Sequence, residues 1–249
     1  MRILYLDCFS GISGDMAMGA FLDAGLPLED LKKELRKLPL SGYDIRAVRS
    51  EKHGIGGTKF IVDIEPSHQH RDLAAIAAII NESTLDHRIK KSSLGMFTLL
   101  AEAEGAVHGV PPEKVHFHEV GAVDSIIDIV GCAAAMHMMG IAEAYSSPVP
   151  LGSGFVKSRH GELPVPAPAT LALLKEKPVY QNDIKRELTT PTGAAILAYF
   201  AKQFGPVPPM RPSLTGYGAG SADLPIPNLL RIIIGEAENR TREESVLVM

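Results

Sequence analysis

Cysteine is nearly absent: Cys8 and Cys132 are the two in 249 residues, too few for a disulfide framework, and there is no CxxC pair to clasp a metal. A reducing compartment is the expectation. Basic runs are missing too. The formal net charge is −4, and nothing offers the concentrated positive charge that grips a polynucleotide or an anionic membrane. Neither nucleic acid nor membrane is expected as a partner. The longest largely apolar stretch, around Ile126 to Ile141, is too short and too polar at its edges to span a bilayer. The opening MRILYLD lacks a signal peptide's charged start, long apolar run and cleavage site, so the location reads as cytoplasmic. There is no internal repeat and no low-complexity linker before the tail. What is present, 45% hydrophobic and 22% charged residues, suits a globular protein able to bury a sizeable core.

Hydrophobic spacing and turn residues give the order of elements. Arg2 to Leu6 is a short apolar run ending at Asp7; the glycine loop CFSGISGD and an Ala/Met/Leu-rich stretch to Gly25 follow, which predicts strand, loop, helix. Leu28, Leu31, Leu35 and Leu38 repeat at helical spacing. Tyr43 to Ser50 and Lys59 to Ile64 alternate as two strands, with HGIGG as the turn. The opening is therefore β-α-α-β-β, a β-rich subdomain over residues 1–66. After the polar break PSHQHR, helices are predicted over Asp72 to Ile80 and Asp86 to Val107, stopped by Gly109, Pro111 and Pro112. The last hundred residues are rich in Pro and Gly, with a helix at Gly193 to Phe204 and a strand at Leu229 to Ile234. The class is mixed α/β: residues 1–235 form one domain, and 236–249 a linker. The tail ENRTREESVLVM turns from charged to apolar, which reads as the first strand of a further unit.

Three stretches carry chemistry. In DCFSGISGD, Asp7 stands at a strand end and Asp15 at a helix start, a layout that suits a phosphate cradled by backbone N–H groups or a cation between two carboxylates. A plainer account has Ser13 or Asp15 capping the helix while Gly11 and Gly14 make the turn. The loop has neither the lysine of a P-loop nor GxGxxG spacing. In HFHEVGAVDSIIDI, His116 and His118 share one face of an extended backbone, and Glu119 is placed to orient an imidazole or act as a base. Asp124 and Asp128 then share a helix face at i,i+4, beside Ile126, Ile127, Ile129 and Val130, which predict a buried helix with little room for idle acids. The plainer account has the aspartates facing solvent at the helix's positive end. His68 and His70 repeat the HxH pattern in a polar loop. In RHGELPVPAPAT the prolines fix Arg159, His160 and Glu162, useful for anion binding or proton transfer and equally compatible with a rigid surface loop. Thr190 or Thr192 in LTTPTGAAI is a good N-cap. GYGAGSADLPIPN reads as a close-approach loop or a string of turns.

The set DCFSGISGDM, HQHR, VHFHEVGAVDSIIDI, RHGELPVPAPAT, TTPTGAAI and GYGAGSADLPIPN, in this order across essentially the whole chain, resembles the LarC family of nickel-insertion proteins. The resemblance implies nickel insertion into pyridinium-3,5-bisthiocarboxylic acid mononucleotide, giving the nickel-pincer cofactor of lactate racemase-type enzymes. It implies a lyase-class, metal-chelatase type of enzyme that uses CTP with Mn2+ or Mg2+. Family members continue into a C-terminal domain to which the CTP is assigned, so this chain is expected to be inactive without it. Many carry a longer histidine run where this chain has HQH. On this reading the Ni2+ ligands come from His68, His70, His116, His118, Asp124 and Asp128, and the proton-handling residues are Glu119 and His160. The substrate phosphate lies at Asp7, Ser10, Gly11, Ser13, Gly14 and Asp15. Imidazole and carboxylate suit a site that must surrender nickel to the softer sulfurs of the substrate. The pyridinium mononucleotide, the chain's own C-terminal domain, a lactate racemase-type apoenzyme and further copies of the chain are the expected partners. Two other functions fit the same groups, a metal-dependent phosphohydrolase and a non-catalytic nickel carrier.

Overall fold

The computed structural model describes residues 1–65, 71–117, 121–158 and 161–238, with the backbone alone at 157 and 158. The opening follows the predicted order: β1 (Arg2–Asp7), α1 (Gly14–Asp23), α2 (Leu28–Leu35), β2 (Tyr43–Lys52) and β3 (Ile55–Ile64). The middle contains β4 (Arg71–Asp72), α3 (Leu73–Glu82), α4 (His87–His108), β5 (His116–Phe117) and α5 (Val123–Met138). The last part holds β6 (Glu143–Ser146), β7 (Val149–Pro150), β8 (Phe155–Ser158), β9 (Gly161–Pro164), α6 (Pro168–Leu173) and β10 (Val179–Tyr180). It ends with α7 (Pro191–Phe200), β11 (Ala201–Phe204), β12 (Met210–Ala219) and β13 (Leu229–Ala237).

Seven strands form one mixed sheet in the order β11-β6-β1-β13-β12-β3-β2. The opening strands thus share a sheet with strands from the last hundred residues. Pairing is parallel for β11 with β6, β6 with β1, and β12 with β3, and antiparallel where β13 enters between β1 and β12. The carboxyl ends of β11, β6, β1, β12 and β3 therefore lie along one edge, where open α/β sheets place ligands. Strand side chains alternate between faces. Leu4 and Leu6 of β1 and Leu230, Ile232 and Ile234 of β13 join the core with helices α1, α5 and α7, while Asp7 and Arg231 belong to the other face.

Two boundaries differ from the sequence reading. The turn in HGIGG is only His53-Gly54, with φ of 52° and 80°, and Lys52 pairs with Ile55; two left-handed residues make the tight hairpin turn whose twist matches its strands. Gly56 and Gly57 belong to β3, where a Cβ on Gly57 would meet the Tyr217 carbonyl at 2.8 Å. The predicted helix to Phe204 stops at Phe200, because Ala201 turns extended and the chain pairs with β6 instead. Sheet pairing overrides the helical preference of Ala201-Lys202-Gln203.

Of GYGAGSADLPIPN, Gly216 to Ala219 end strand β12 and Gly220 to Asn228 form a loop with bends, and Gly216 and Gly218 seat α1. A Cβ on Gly216 would strike the Ala20 carbonyl, one on Gly218 the Met16 carbonyl, and one on Gly19 the Thr58 carbonyl. Asp23 completes the seat by accepting from the Tyr217 N–H at 2.9 Å and from the Thr58 hydroxyl at 2.9 Å. Against α1 lies α5, whose Ile126, Ile127, Ile129 and Val130 are all 0% exposed, each contributing about 1.5–3 kcal/mol through burial. Behind α5 runs the 22-residue α4, started by the Asp86 side chain accepting from the Arg88 N–H and ended by left-handed Gly109.

Candidate functional site

At the carboxyl end of β1 the chain folds into the glycine loop, held by the TTPTG segment. Gly11 has φ 95° and lies so close to the Leu188 carbonyl that no side chain fits. Ile12 donates its N–H to Leu188 at 2.9 Å and accepts from Thr190 at 3.1 Å, and Gly193 leaves room for the Ile12 carbonyl. These contacts place the starts of α1 and α7 side by side. Thr190 caps α7 as expected, its hydroxyl accepting from the Gly193 N–H at 3.2 Å. Ser13 occupies the N-cap position of α1 but donates its hydroxyl to the Asp15 carboxylate instead. Ser10 is fully buried, and its hydroxyl has no hydrogen-bond partner among the described residues.

The same loop meets the acidic face of α5. A Cβ on Gly14 would lie 2.5 Å from Asp128 Oδ2 and 2.6 Å from its Cβ, so only glycine lets the two helices approach this closely. Asp128 keeps some surface exposure as a residue, yet its Oδ1 is buried with no partner among the described residues. Burial pushes its carboxyl well above the ordinary range, and the charges of Asp15 and then Asp124 push it further. Burial also raises Asp15, against the opposing hydrogen bonds from Ser13 and the Met16 N–H and the more distant charge of Lys59. One turn deeper, Cys132 Sγ donates to Met18 Sδ at 3.5 Å, its thiol pushed up by burial and by Asp128. The α1–α5 contact is thus lined by oxygen donors at the rim and sulfur behind them. Two buried carboxylates, Asp15 and Asp128, with the exposed Asp124 near the second, favour either a retained proton or a cation. Among the described residues, no three His, Cys, Asp or Glu side chains are set to hold a metal ion by themselves.

The predicted residues divide into groups. Asp15, Asp124 and Asp128 converge, with Ser10, Gly11, Ser13 and Gly14 in the loop beside them. Asp7 turns to the other face, where Arg231 Nε donates to its Oδ2 at 2.9 Å and Nη2 bonds the same oxygen. His116 is exposed on β5, while its neighbour Phe117 is buried. His68, His70, His118, Glu119 and His160 lie outside the described residues. The two histidine segments are nonetheless joined where they are described: β4 pairs antiparallel with β5, Arg71 opposite Phe117 and Asp72 opposite His116. Gly121 then packs 2.8 Å, measured from a Cβ built on it, from both the Arg71 and Phe117 carbonyls, tying this small sheet to the start of α5. Sequence reasoning passed over Arg231, whose signal was a single charge inside the apolar run LLRIII.

The family model described as nickel insertion protein matches residues 4–249. A relative from Syntrophobacter fumaroxidans is 56% identical over 242 residues, covering 95% of this chain and 61% of its own length. The pyridinium-3,5-bisthiocarboxylic acid mononucleotide nickel insertion protein of Desulfitobacterium hafniense is 50% identical over 236 residues, 95% of this chain and 59% of its own length. Its namesake in Geobacillus kaustophilus is 47% identical over 269 residues, covering all of this chain and 66% of its own length. The chain thus spans about 60% of the length of these curated relatives. No solved structure matches. No helix among the described residues is long and apolar enough to cross a membrane.

Proposed function

Since the chain belongs to the nickel insertion protein family, we propose that it forms the nickel- and substrate-handling part of an enzyme that metallates pyridinium-3,5-bisthiocarboxylic acid mononucleotide. The observation that supports this best is the meeting of the glycine loop with the acidic face of α5 at Gly14 and Asp128. Relatives that share about half of its residues bear that activity in their names. Nickel is the substrate here. It arrives as Ni2+, takes two sulfurs and one ring carbon of the mononucleotide, and the ring carbon releases a proton. The proposed donors are the carboxylates of Asp124 and Asp128, with Asp15 beside them, and the imidazoles of the two HxH segments, a set hard enough to release nickel to sulfur. Glu119 and His160 are the proposed proton acceptors, groups that work near neutral pH. Ser10, Gly11, Ser13 and Gly14 offer the loop for the substrate phosphate, at the positive start of α1.

The product serves lactate racemase-type enzymes, and CTP with Mn2+ or Mg2+ drives the reaction from the part of the longer family proteins that this chain does not span. The test is incubation of this chain with the bisthiocarboxylate precursor, nickel and CTP, with and without the remainder of a longer family protein. The nickel complex is read by mass and absorbance. Formation only in the complete mixture is expected. A complete mixture that yields no nickel complex, or that hydrolyses generic phosphate esters, overturns the reading.

A further inference from the structure

Beside the glycine loop, on the sheet face opposite the helices, three strands set three side chains in a row. Asp7 of β1 pairs in register with Arg231 of β13, which pairs with Tyr217 of β12, and residues directly opposite one another project to the same face. Asp7 binds the guanidinium through a single oxygen, taking Nε and Nη2. That engages two of the five N–H donors that a guanidinium carries. The arginine side chain is still 42% exposed, against 15% for Asp7. Its guanidinium lies 5.9 Å from the centre of the Phe9 ring. Tyr180 reaches the same edge on β10, which pairs with β7 just beyond the end of β6. Its hydroxyl is pushed up by burial and then by Cys8 and Asp7, which puts it in the field of the same carboxylate. Aromatic residues make up only 6% of the chain, so Phe9 over the guanidinium and Tyr217 beside it, with Tyr180 in the field of the same carboxylate, are a local concentration.

We propose that Arg231 is a binding residue for an anionic group carried on a flat aromatic ring, that Phe9 and Tyr217 receive the ring, and that Asp7 positions the guanidinium. This rests on the reading of the substrate as a pyridinium mononucleotide, which it deepens. A pyridinium ring is cationic and attracted to aromatic faces, while its carboxylate-like substituents suit the planar donor fork of arginine. Asp7 then neither holds a phosphate nor ligates a cation. Its negative charge keeps the arginine aimed and leaves donors over for the ligand.

Binding is tested by calorimetry without nickel, using three probes: nicotinic acid mononucleotide, nicotinamide mononucleotide, which keeps the phosphate but not the ring anion, and nicotinic acid riboside, which keeps only the ring anion. The expected order places the two acid-bearing probes ahead of the amide. Arg231→Gln should weaken them by about tenfold or more, the range of a lost charged hydrogen bond, with Arg231→Lys recovering only part. Asp7→Asn should weaken them less, and Asp7→Glu should restore binding, which a merely structural role does not require. Nickel stoichiometry should be unchanged in every variant, measured in protein whose thermal transition is retained. No binding of any probe by the wild type, unchanged affinity in Arg231→Gln, or equal losses for the acid and amide nucleotides overturns the assignment. Arginine-dependent probe binding without nickel insertion would leave this subsite standing and remove only the metallation reading.

Discussion

Replacing Asp128 by asparagine removes a charge without changing shape, and the structure fixes the sign of the effect. The folded state raises the Asp128 carboxyl above its unfolded value, by burial first and by Asp15 and Asp124 next. A group with a raised folded pKa contributes its stability in full below the unfolded pKa and loses it as pH rises through the folded pKa. Wild-type protein should therefore lose stability from about pH 4 upward, while Asp128→Asn does not share that loss. Near pH 4 the two proteins should melt together. By pH 8 the variant should be more stable by about 1–3 kcal/mol, the usual cost of an uncompensated buried polar group, or about 2–4 °C in Tm per kcal/mol at this length. Calorimetric Tm measured from pH 4 to pH 9 reads the effect directly. Added Ni2+ or Mn2+ should close the gap by stabilising the wild type and not the variant. A gap of constant size across the pH range, or an asparagine variant that melts lower at pH 8, would refute the account of Asp128 as a charge confined against Asp15.

Gly11→Ala should cost about 2–5 kcal/mol, since a left-handed residue takes on a side chain that collides with the Leu188 carbonyl; a denaturant midpoint unchanged from the wild type would show that the loop yields freely. Converting His116 and His118 to alanine should lower nickel affinity or stoichiometry in an equilibrium titration, and unaltered binding by the folded double variant removes both from the ligand set. Cys8 is fully buried, its thiol pushed up to about 12 chiefly by burial, and Cys132 is buried as well. Both should resist a disulfide reagent at pH 7.5 until the protein is unfolded, so rapid labelling of either in native protein contradicts the described packing. Ile127→Ala should cost about 2–5 kcal/mol by opening a cavity in the α5 interface, measured as a shift in denaturant midpoint with binding retained.

Much of the architecture was legible because it is locally specified. The β1–loop–α1 unit, the leucine-spaced α2, the helices begun by Asp72 and Asp86 and the Thr190 cap all declare themselves through periodicity and capping residues close in sequence. Glycine was the main source of error, because it serves two ends. Gly56 and Gly57 look like turn residues but lie in a strand that needs room for the Tyr217 backbone, and Gly216 and Gly218 look like a ligand loop but make room for α1. Those roles depend on partners distant in the chain. The site was half legible for the same reason. The i,i+4 spacing of Asp124 and Asp128 is local, whereas the encounter of Asp128 with Gly14 and Asp15 exists only once α1 and α5 pack. Spacing left Asp15 between a phosphate and a cation, and the resemblance assigned it to the phosphate and Asp128 to the metal, although the fold sets them side by side. Asp7 and Arg231 were separated likewise, since only the β1–β13 register brings them together.

The way α1 is seated bears on how the cleft at Gly14 can deform. Pressed onto Gly216 and Gly218, with Gly19 against Thr58 and Asp23 tethered to Tyr217 and Thr58, α1 has no slack toward the sheet. It acts as a fixed jaw. α5 is equally confined, its Ile126, Ile127, Ile129 and Val130 fully buried against α1, α4 and their neighbours, so the close approach of Gly14 and Asp128 is fixed from both sides.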